Sequence, residues 1–425
     1  MKYLKYPKYK DSGIEWIGEI PEHWTLLKLK YMALCLDYKR IPLNAEERSY
    51  RDGQVEYWGA NGVVGYIDNY LFNDELVLIG EDGAPFNEKY REVAFYVDYP
   101  IWPNNHIHVL KAKERVLPNY LKHSLNSSDF TDFIEGSTRD KLTQSNLLEI
   151  PIPLCDLKEQ MQILSFLENQ TSKINILISK QQQLIELLKE KRQAIITHAV
   201  TKGLDPNVPM KDSGIEWVGE IPERWKVTPL KFVSLVIMGQ SPPSEHYTEL
   251  GVIPFLQGCA EFGAVSPDPK HYCDIATKLS QPGDILLSVR APVGEINLSD
   301  KVYGIGRGLC AIRSTSAEQG YIRSWLEAAK GELKNVSTGS TYDAVAVEDV
   351  KNLKISIPCS GDEQKIVLDF LNLEISKVDS LISKQQQMIE LLKEHKTSLI
   401  TQAVTGKIDV RDLIQEVKRP AGQTS

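Results

Sequence analysis

The stretch Lys10–Trp24, KDSGIEWIGEIPEHW, returns at Lys211–Trp225 as KDSGIEWVGEIPERW with two positions changed. A second block, LISKQQQLIELLKE at Leu177–Glu190, returns at Leu381–Glu394 as LISKQQQMIELLKE with one change. Both repeats lie about 200 residues apart, far beyond the roughly 20 to 50 residues of a solenoid period, so one whole unit has been duplicated. The likeness between the copies is uneven. From about Leu26 to Glu149 and from about Lys226 to Lys354 it has nearly gone, leaving faint anchors such as GSTRDKL at Gly136 against GSTYDAV at Gly339, and IPIP at Ile150 against ISIP at Ile355. Two copies that share their ends and differ in their middles suggest one scaffold carrying two different readers.

The shared blocks near the end of each unit sit in long stretches almost free of glycine and proline, from about Leu157 to Thr201 and from about Asp362 to Thr405. In the first, Leu167, Ile174, Leu177, Gln181, Leu184, Leu188 and Ile195 recur in the three- and four-residue rhythm that a coiled-coil seam requires, and Phe370, Val378, Leu381, Gln385, Met388, Leu392 and Leu399 repeat it in the second. A helix of about 45 residues would be a rod of roughly 65 Å. The divergent middles read differently. They hold short β-rich runs, ELVLIGE from Glu75, HIHVLKA from His106 and DILLSVRAP from Asp284, broken by glycine and proline turns, and each is expected to be a compact α/β domain.

Bulk properties narrow the function. The 425 residues, 42% of them hydrophobic, suffice for two or three domains with sizeable cores. No apolar run approaches the roughly 20 residues that span a bilayer, and the opening MKYLKYPKYK lacks the apolar core of a secretion signal, so no membrane partner and a cytoplasmic location are expected. Six scattered cysteines without a CxxC pair fit reduced thiols. The net charge of −8 argues against wholesale coating of polyanions, whereas specific nucleic-acid binding needs only a locally basic face.

Catalytic motifs are missing. A methyltransferase that uses S-adenosylmethionine on a flipped base needs a glycine-rich strand-to-helix turn and an Asn/Asp-Pro-Pro-aromatic motif, and neither occurs. GIGRG at Gly304–Gly308 lacks a P-loop lysine and reads as a turn between strands. His106 and His108 alternate with Ile107 and Val109, which places both on one strand face, where pairing with polar neighbours accounts for them. Cys259, His271 and Cys273 lack the paired spacing of a structural zinc site. The expectation is a chain with no catalytic residue, no metal and no cofactor of its own.

The order reader, long helix, reader, long helix resembles the specificity subunit of type I restriction-modification enzymes. The likeness is carried by the KDSGIEW blocks and by the boundaries Pro151-Ile-Pro-Leu to Glu159-Gln160 and Ile357-Pro358 to Glu363-Gln364, and it covers the chain to about Asp409. It implies an α+β fold: two α/β target-recognition domains separated by two long antiparallel coiled-coil helices, with a pseudo-twofold internal duplication. The corresponding division is a first target-recognition domain over 1–155, a first helix over 156–205, a second target-recognition domain over 206–360, a second helix over 361–410 and a tail over 411–425. The resemblance further implies a subunit that reads a bipartite target in double-stranded DNA and joins two methyltransferase subunits and up to two restriction (translocase-nuclease) subunits. Those partners would bind S-adenosylmethionine, ATP and magnesium.

Physical chemistry refines this picture. If the helices pair antiparallel, with Leu184 and Leu188 facing Met388 and Leu392, the two readers meet the duplex in equivalent poses. Because the readers differ, the half-sites should differ too, and rods of roughly 65 Å could hold them one to two turns of about 34 Å apart. Arg and Lys suit guanine, Asn and Gln suit adenine, and hydroxyls and amides hold phosphate. On those grounds Asn61, Arg139 and Lys141 are the candidates in the first domain. Gln257, Arg290, Arg307 and Tyr342 are those in the second, with Ser340 and Thr341 near phosphate. Ordinary surface or salt-bridge duty is the alternative for each residue, and a non-catalytic coiled-coil adaptor binding protein partners is the alternative for the whole chain.

Overall fold

The computed structural model describes residues 3–88, 90–136, 139–335 and 344–413. These fall into two compact units, one holding the described residues up to Gln182 together with those from Gln387 onward, the other Gln183–Gln386.

In unit 1 an antiparallel pair of short strands, Tyr9–Asp11 and Glu19–Pro21, precedes β1 (Thr25–Lys28), which is followed by β2 (Ala33–Cys35), β3 (Val55–Gly59), β4 (Gly62–Ile67), β5 (Leu76–Gly80), β6 (Ala94–Val97), β7 (Ile101–Pro103) and β8 (Ile107–Ala112). Helix α1 (Pro118–Asn126), β9 (Pro151–Leu154) and helix α2 (Leu157–Lys202) follow, the last continuing into unit 2. Strands β2, β8, β5 and β6 form an antiparallel sheet in that order. Every residue of β5, LVLIG, is buried. Its period-2 side chains feed two cores. Val77 and Ile79 pack with Leu121 and Leu125 of α1, while Leu76 and Leu78 pack with Trp58 and Ile101 of the second sheet, β4-β3-β7, in which β3 and β7 run parallel. The IPIP segment becomes β9, paired with β1 alone, so its prolines cost no ladder bond on a second side.

Unit 2 repeats this plan with another sequence. After the matching short pair Met210–Asp212 and Glu220–Pro222 come β10 (Lys226–Pro229), β11 (Ser234–Met238), β12 (Pro254–Leu256), β13 (His271–Tyr272), β14 (Ile285–Ser288), β15 (Ile296–Leu298), β16 (Gly304–Ile305) and β17 (Leu309–Ser314). Helix α3 (Gln319–Ala328), β18 (Lys354–Ile357) and helix α4 (Gly361–Val404) complete it, α4 continuing into unit 1. The four-stranded order is β11-β17-β14-β15, the three-stranded sheet is β13-β12-β16 with β12 and β16 parallel, and β10 pairs with β18. Alternation again splits the core. Ile285 and Leu287 pack with Tyr321 and Trp325 of α3, and Leu286 packs with Leu256 and Ile305. The duplication thus extends through the middles, where sequence likeness has almost vanished.

Within each unit the helix halves run antiparallel. In unit 1, Ile163, Phe166, Leu167 and Ile174 of α2 share a core with Leu399, Ala403 and Val404 of α4, and Lys396 Nζ donates to Asn175 at 3.1 Å. In unit 2, Ile196, Ala199 and Val200 share a core with Val367 and Leu371, and Arg192 donates to Asp379 at 3.2 Å. The KDSGIEW blocks cap these cores: Ile17, Ile20 and Trp24 in unit 1, Val218, Ile221 and Trp225 in unit 2, are all buried there.

The seam matches the expected one in part. Leu167, Ile174 and Leu188 of α2 and Val378 and Leu399 of α4 are buried as expected, whereas Leu177 (45%), Leu184 (39%), Phe370 (38%), Leu381 (44%) and Met388 (45%) are exposed and Ile185 and Ile389 are buried instead. The heptad is there, with the opposite order of three- and four-residue steps. The blocks carry apolar pairs, Leu177-Ile178, Leu184-Ile185 and Leu187-Leu188, so two phases look alike in sequence, and the β-branched member is the less exposed one in the first two pairs, Ile178 half-buried and Ile185 buried. Nor do Leu188 and Leu392 face each other. The Asn175–Lys396 bond sets Leu392 level with about Ser179, and the Arg192–Asp379 bond sets Leu188 level with about Ser383. Among the described residues no helix is long and apolar enough to cross a membrane.

Candidate nucleic-acid interface

On each reader, loops from both sheets meet at the same topological place. In unit 1 the loop after β7 is tied to the end of β3 by Asn104 N donating to the Trp58 carbonyl at 2.9 Å, and in unit 2 Gly306 N donates to Leu256 at 2.7 Å. The described residues that follow each GST motif dock beside them. Leu142 N donates to the Glu81 carbonyl at 2.7 Å and Val345 N to the Val289 carbonyl at 2.9 Å, while Asp82 bridges Lys141 as Arg290 bridges Ala344. Strand registers Gly80–Ile107 and Ser288–Leu309 make the loops equivalent, with Asp82 matching Arg290 and Asn105 matching Arg307.

The candidates fall into these loops. In unit 1, Asn61 lies at the turn between β3 and β4 and donates to the Gly83 carbonyl at 3.1 Å. Arg139 lies 3.4 Å from Asp82, and Lys141 lies 3.4 Å from Glu81. All three are exposed and converge on Glu81-Asp82-Gly83. Gly83 has φ +66°, and a Cβ there would stand 2.6 Å from Arg139 Nε, so that backbone conformation and close approach both call for glycine. In unit 2, Gln257, Arg290 and Arg307 line one cleft of about 570 Å³ together with Ser241 and Tyr247. GIGRG ends β16 and turns into β17 through Gly306–Gly308. Its glycines permit tight contact, for a Cβ at Gly308 would lie 2.6 Å from the Gln257 carbonyl. Ser340, Thr341 and Tyr342 lie outside the described residues.

Sequence reasoning missed the carboxylates. Glu81 also accepts from Arg40 at 2.8 Å, and Asp82 lies 2.7 Å from His106. A turn signal, EDG straight after the ELVLIG strand, marks the place in the sequence. Beneath this patch His108 is buried, its Nδ1 facing Asp37 at 2.5 Å and its Nε2 facing the Leu142 carbonyl at 2.8 Å, so it ties the strand at Leu142 to the sheet. Both histidines therefore have polar partners. Burial pushes the Asp37 carboxyl up, but hydrogen bonds from His108 and the Val109 amide, with the Arg40 charge, outweigh it and leave it below the usual range. Cys35, Asp37 and His108 bring potential ligand atoms within 4.8 Å of one another. Burial, aided by Asp37, pushes the Cys35 thiol up to about 12, which keeps it protonated near neutral pH.

Two readers of one plan, each ending in polar loops of its own chemistry and mounted on paired helices, define a two-headed recognition protein. The family model for the type I restriction modification DNA specificity domain matches residues 21–187 and again 222–394. The chain belongs to that family. It is 30% identical to the putative type I restriction enzyme MjaX specificity subunit of Methanocaldococcus jannaschii, over 97% of this chain and 99% of that one. It is 27% identical to the putative type I restriction enzyme specificity subunit S.HindORF215P of Haemophilus influenzae, over 80% and 84% of the two chains. In fold it resembles a chain from a solved structure on complex assembly and conformational transition of the type I R-M system, with a TM-score of 0.67, 23% identity and coverage of 92% of this chain and 99% of that one.

Proposed function

We propose that this chain supplies the sequence specificity of a type I restriction-modification complex, each reader taking one half of a bipartite, asymmetric target in double-stranded DNA. The observation that carries this reading is the equivalence of the two loop sets: one topological place, with Asp82 and Asn105 on one head and Arg290 and Arg307 on the other. A shared frame with unlike side chains is what two different half-sites require. Asn61, Arg139 and Lys141 would read on the first head and Gln257, Arg290 and Arg307 on the second, while Ser340, Thr341 and Tyr342 complete the second set by position in the sequence.

The helices serve assembly. Leu177, Met388 and Leu391 in unit 1 and Leu184, Leu187 and Leu381 in unit 2 are large exposed apolar side chains, and the blocks that carry them are nearly identical in the two copies. Repeated apolar faces of this kind suit two like partners, one methyltransferase subunit each, with up to two restriction subunits joining that assembly. Catalysis, S-adenosylmethionine, ATP and magnesium belong to those partners, in the cytoplasm, and this chain contributes recognition alone. The chain is to be expressed with its methyltransferase subunits while Leu26–Glu149 or Lys226–Lys354 is exchanged for the same segment of a relative, and methylated positions are mapped. One half of the target should change with each exchange. A change in both halves, or in neither, refutes the two-reader assignment.

A further inference from the structure

We infer that the second reader specifies guanine, through Arg290 and Arg307, so that its half-site contains at least one fixed G·C pair read in the major groove. This rests on the reading of the chain as a two-headed DNA reader and adds the base class that one head recognises. The contrast between equivalent loops carries it. On the first head the basic side chains are already engaged: Arg40 and Lys141 lie within 3.4 Å of Glu81, and Arg139 lies 3.4 Å from Asp82. On the second head the aspartate is replaced by Arg290 and Asn105 by Arg307. Both arginines are exposed, and neither guanidinium makes an ion pair or a hydrogen bond with a described residue.

Two guanidinium groups that pair with no described residue, in a cleft to which no described residue contributes a carboxylate, are a strong field for acceptors. The guanidinium fork matches the O6 and N7 acceptors of guanine with two parallel hydrogen bonds, a geometry no other base edge offers. The mounting favours base reading over a loose phosphate contact. Arg307 N donates to Ser241 Oγ at 3.0 Å, and Gly306 and Gly308 on either side press against Gln257, so the backbone carrying Arg307 is fixed before DNA arrives.

The test uses the full chain co-expressed with its methyltransferase subunits, with genome-wide methylation mapping for the wild type, Arg290→Gln and Arg307→Gln. Exchange of Lys226–Lys354 identifies which half-site belongs to the second reader. That half-site should hold a fixed G·C pair, and at least one of the two substitutions should relax the preference at such a pair by roughly 5- to 150-fold while the other half-site stays unchanged. Two results overturn the inference alone. One is a second half-site with no fixed G·C pair. The other is a uniform loss of methylation across sequences with a shallower salt dependence, which marks both arginines as phosphate contacts. A wild-type complex with no sequence preference overturns the reader assignment along with it.

Discussion

The carbonyl of Leu4 accepts the amide of Asp409 at 2.8 Å, so the start and the end of the described chain lie side by side in unit 1. The same place in unit 2 is spanned covalently, because AVT at Ala199–Thr201 matches AVT at Ala403–Thr405 and the chain there runs on through Asp205-Pro206-Asn207. Those three residues are exposed. A permuted chain opened between Pro206 and Asn207, with residue 413 joined to residue 3 by a short glycine-serine linker, should fold with a melting midpoint within about 4 °C of the parent, a change of roughly 1 kcal/mol. It should also direct methylation to the parent's target. A permutant that fails to fold would show that the 205–207 link holds unit 2 together.

The glutamine at each helix start is a structural lock. Gln160 accepts from Leu117 N at 2.9 Å and donates to the carbonyls of Arg115 at 3.0 Å and Cys155 at 2.9 Å. Gln364 does the same work in unit 2, accepting from Glu318 N at 2.8 Å and donating to Pro358 at 3.1 Å. Leucine would fit either space but strand these buried groups. Gln160→Leu and Gln364→Leu should each cost about 1–3 kcal/mol in urea denaturation. A loss under about 0.5 kcal/mol would mean that water replaces the amide.

Acid should weaken the first reader through Asp37. Its folded pKa lies below the unfolded value of about 3.9, so its contribution is fully present above that value and is lost as pH falls through the folded one. Asp37→Asn keeps the shape and removes the charge facing His108 and Arg40. The variant should be less stable than the parent at pH 7 by about 1.5–3 kcal/mol, with the gap closing below about pH 4. Thermal melts across pH 3 to 7 measure it. A gap that does not depend on pH would point to lost packing instead of lost charge.

Much of this architecture was legible in the chain. The repeated blocks gave the duplication, and the near absence of glycine and proline gave α2 and α4 almost to the residue. The residues picked by side-chain chemistry lie close together in the structure, Asn61, Arg139 and Lys141 around Glu81-Asp82-Gly83 and Gln257, Arg290 and Arg307 along one cleft. Hidden were features set by tertiary pairing. Nothing local announces that β3 lies parallel to β7, or that Lys141 meets Glu81 sixty residues earlier. The seam phase was hidden for a different reason: adjacent apolar pairs satisfy two heptads equally, and the choice depends on which stripe the partner helix covers.

That choice gives a decisive pair of substitutions. Leu188 is 9% exposed and belongs to the buried seam, whereas Leu184 and Leu187 beside it are 39% and 60% exposed. An aspartate at 188 would bury an unpaired charge, so Leu188→Asp should cost at least about 3 kcal/mol and lower yield and melting temperature whether or not partners are present. The double variant Leu184→Asp, Leu187→Asp places its charges in water. It should therefore melt within about 2 °C of the parent, a change near 0.5 kcal/mol. If this face docks a methyltransferase subunit, the double variant should nonetheless lose that subunit in size-exclusion chromatography of the co-expressed proteins. A double variant that retains all its partners would assign docking to another surface, and one that unfolds would restore Leu184 to the seam.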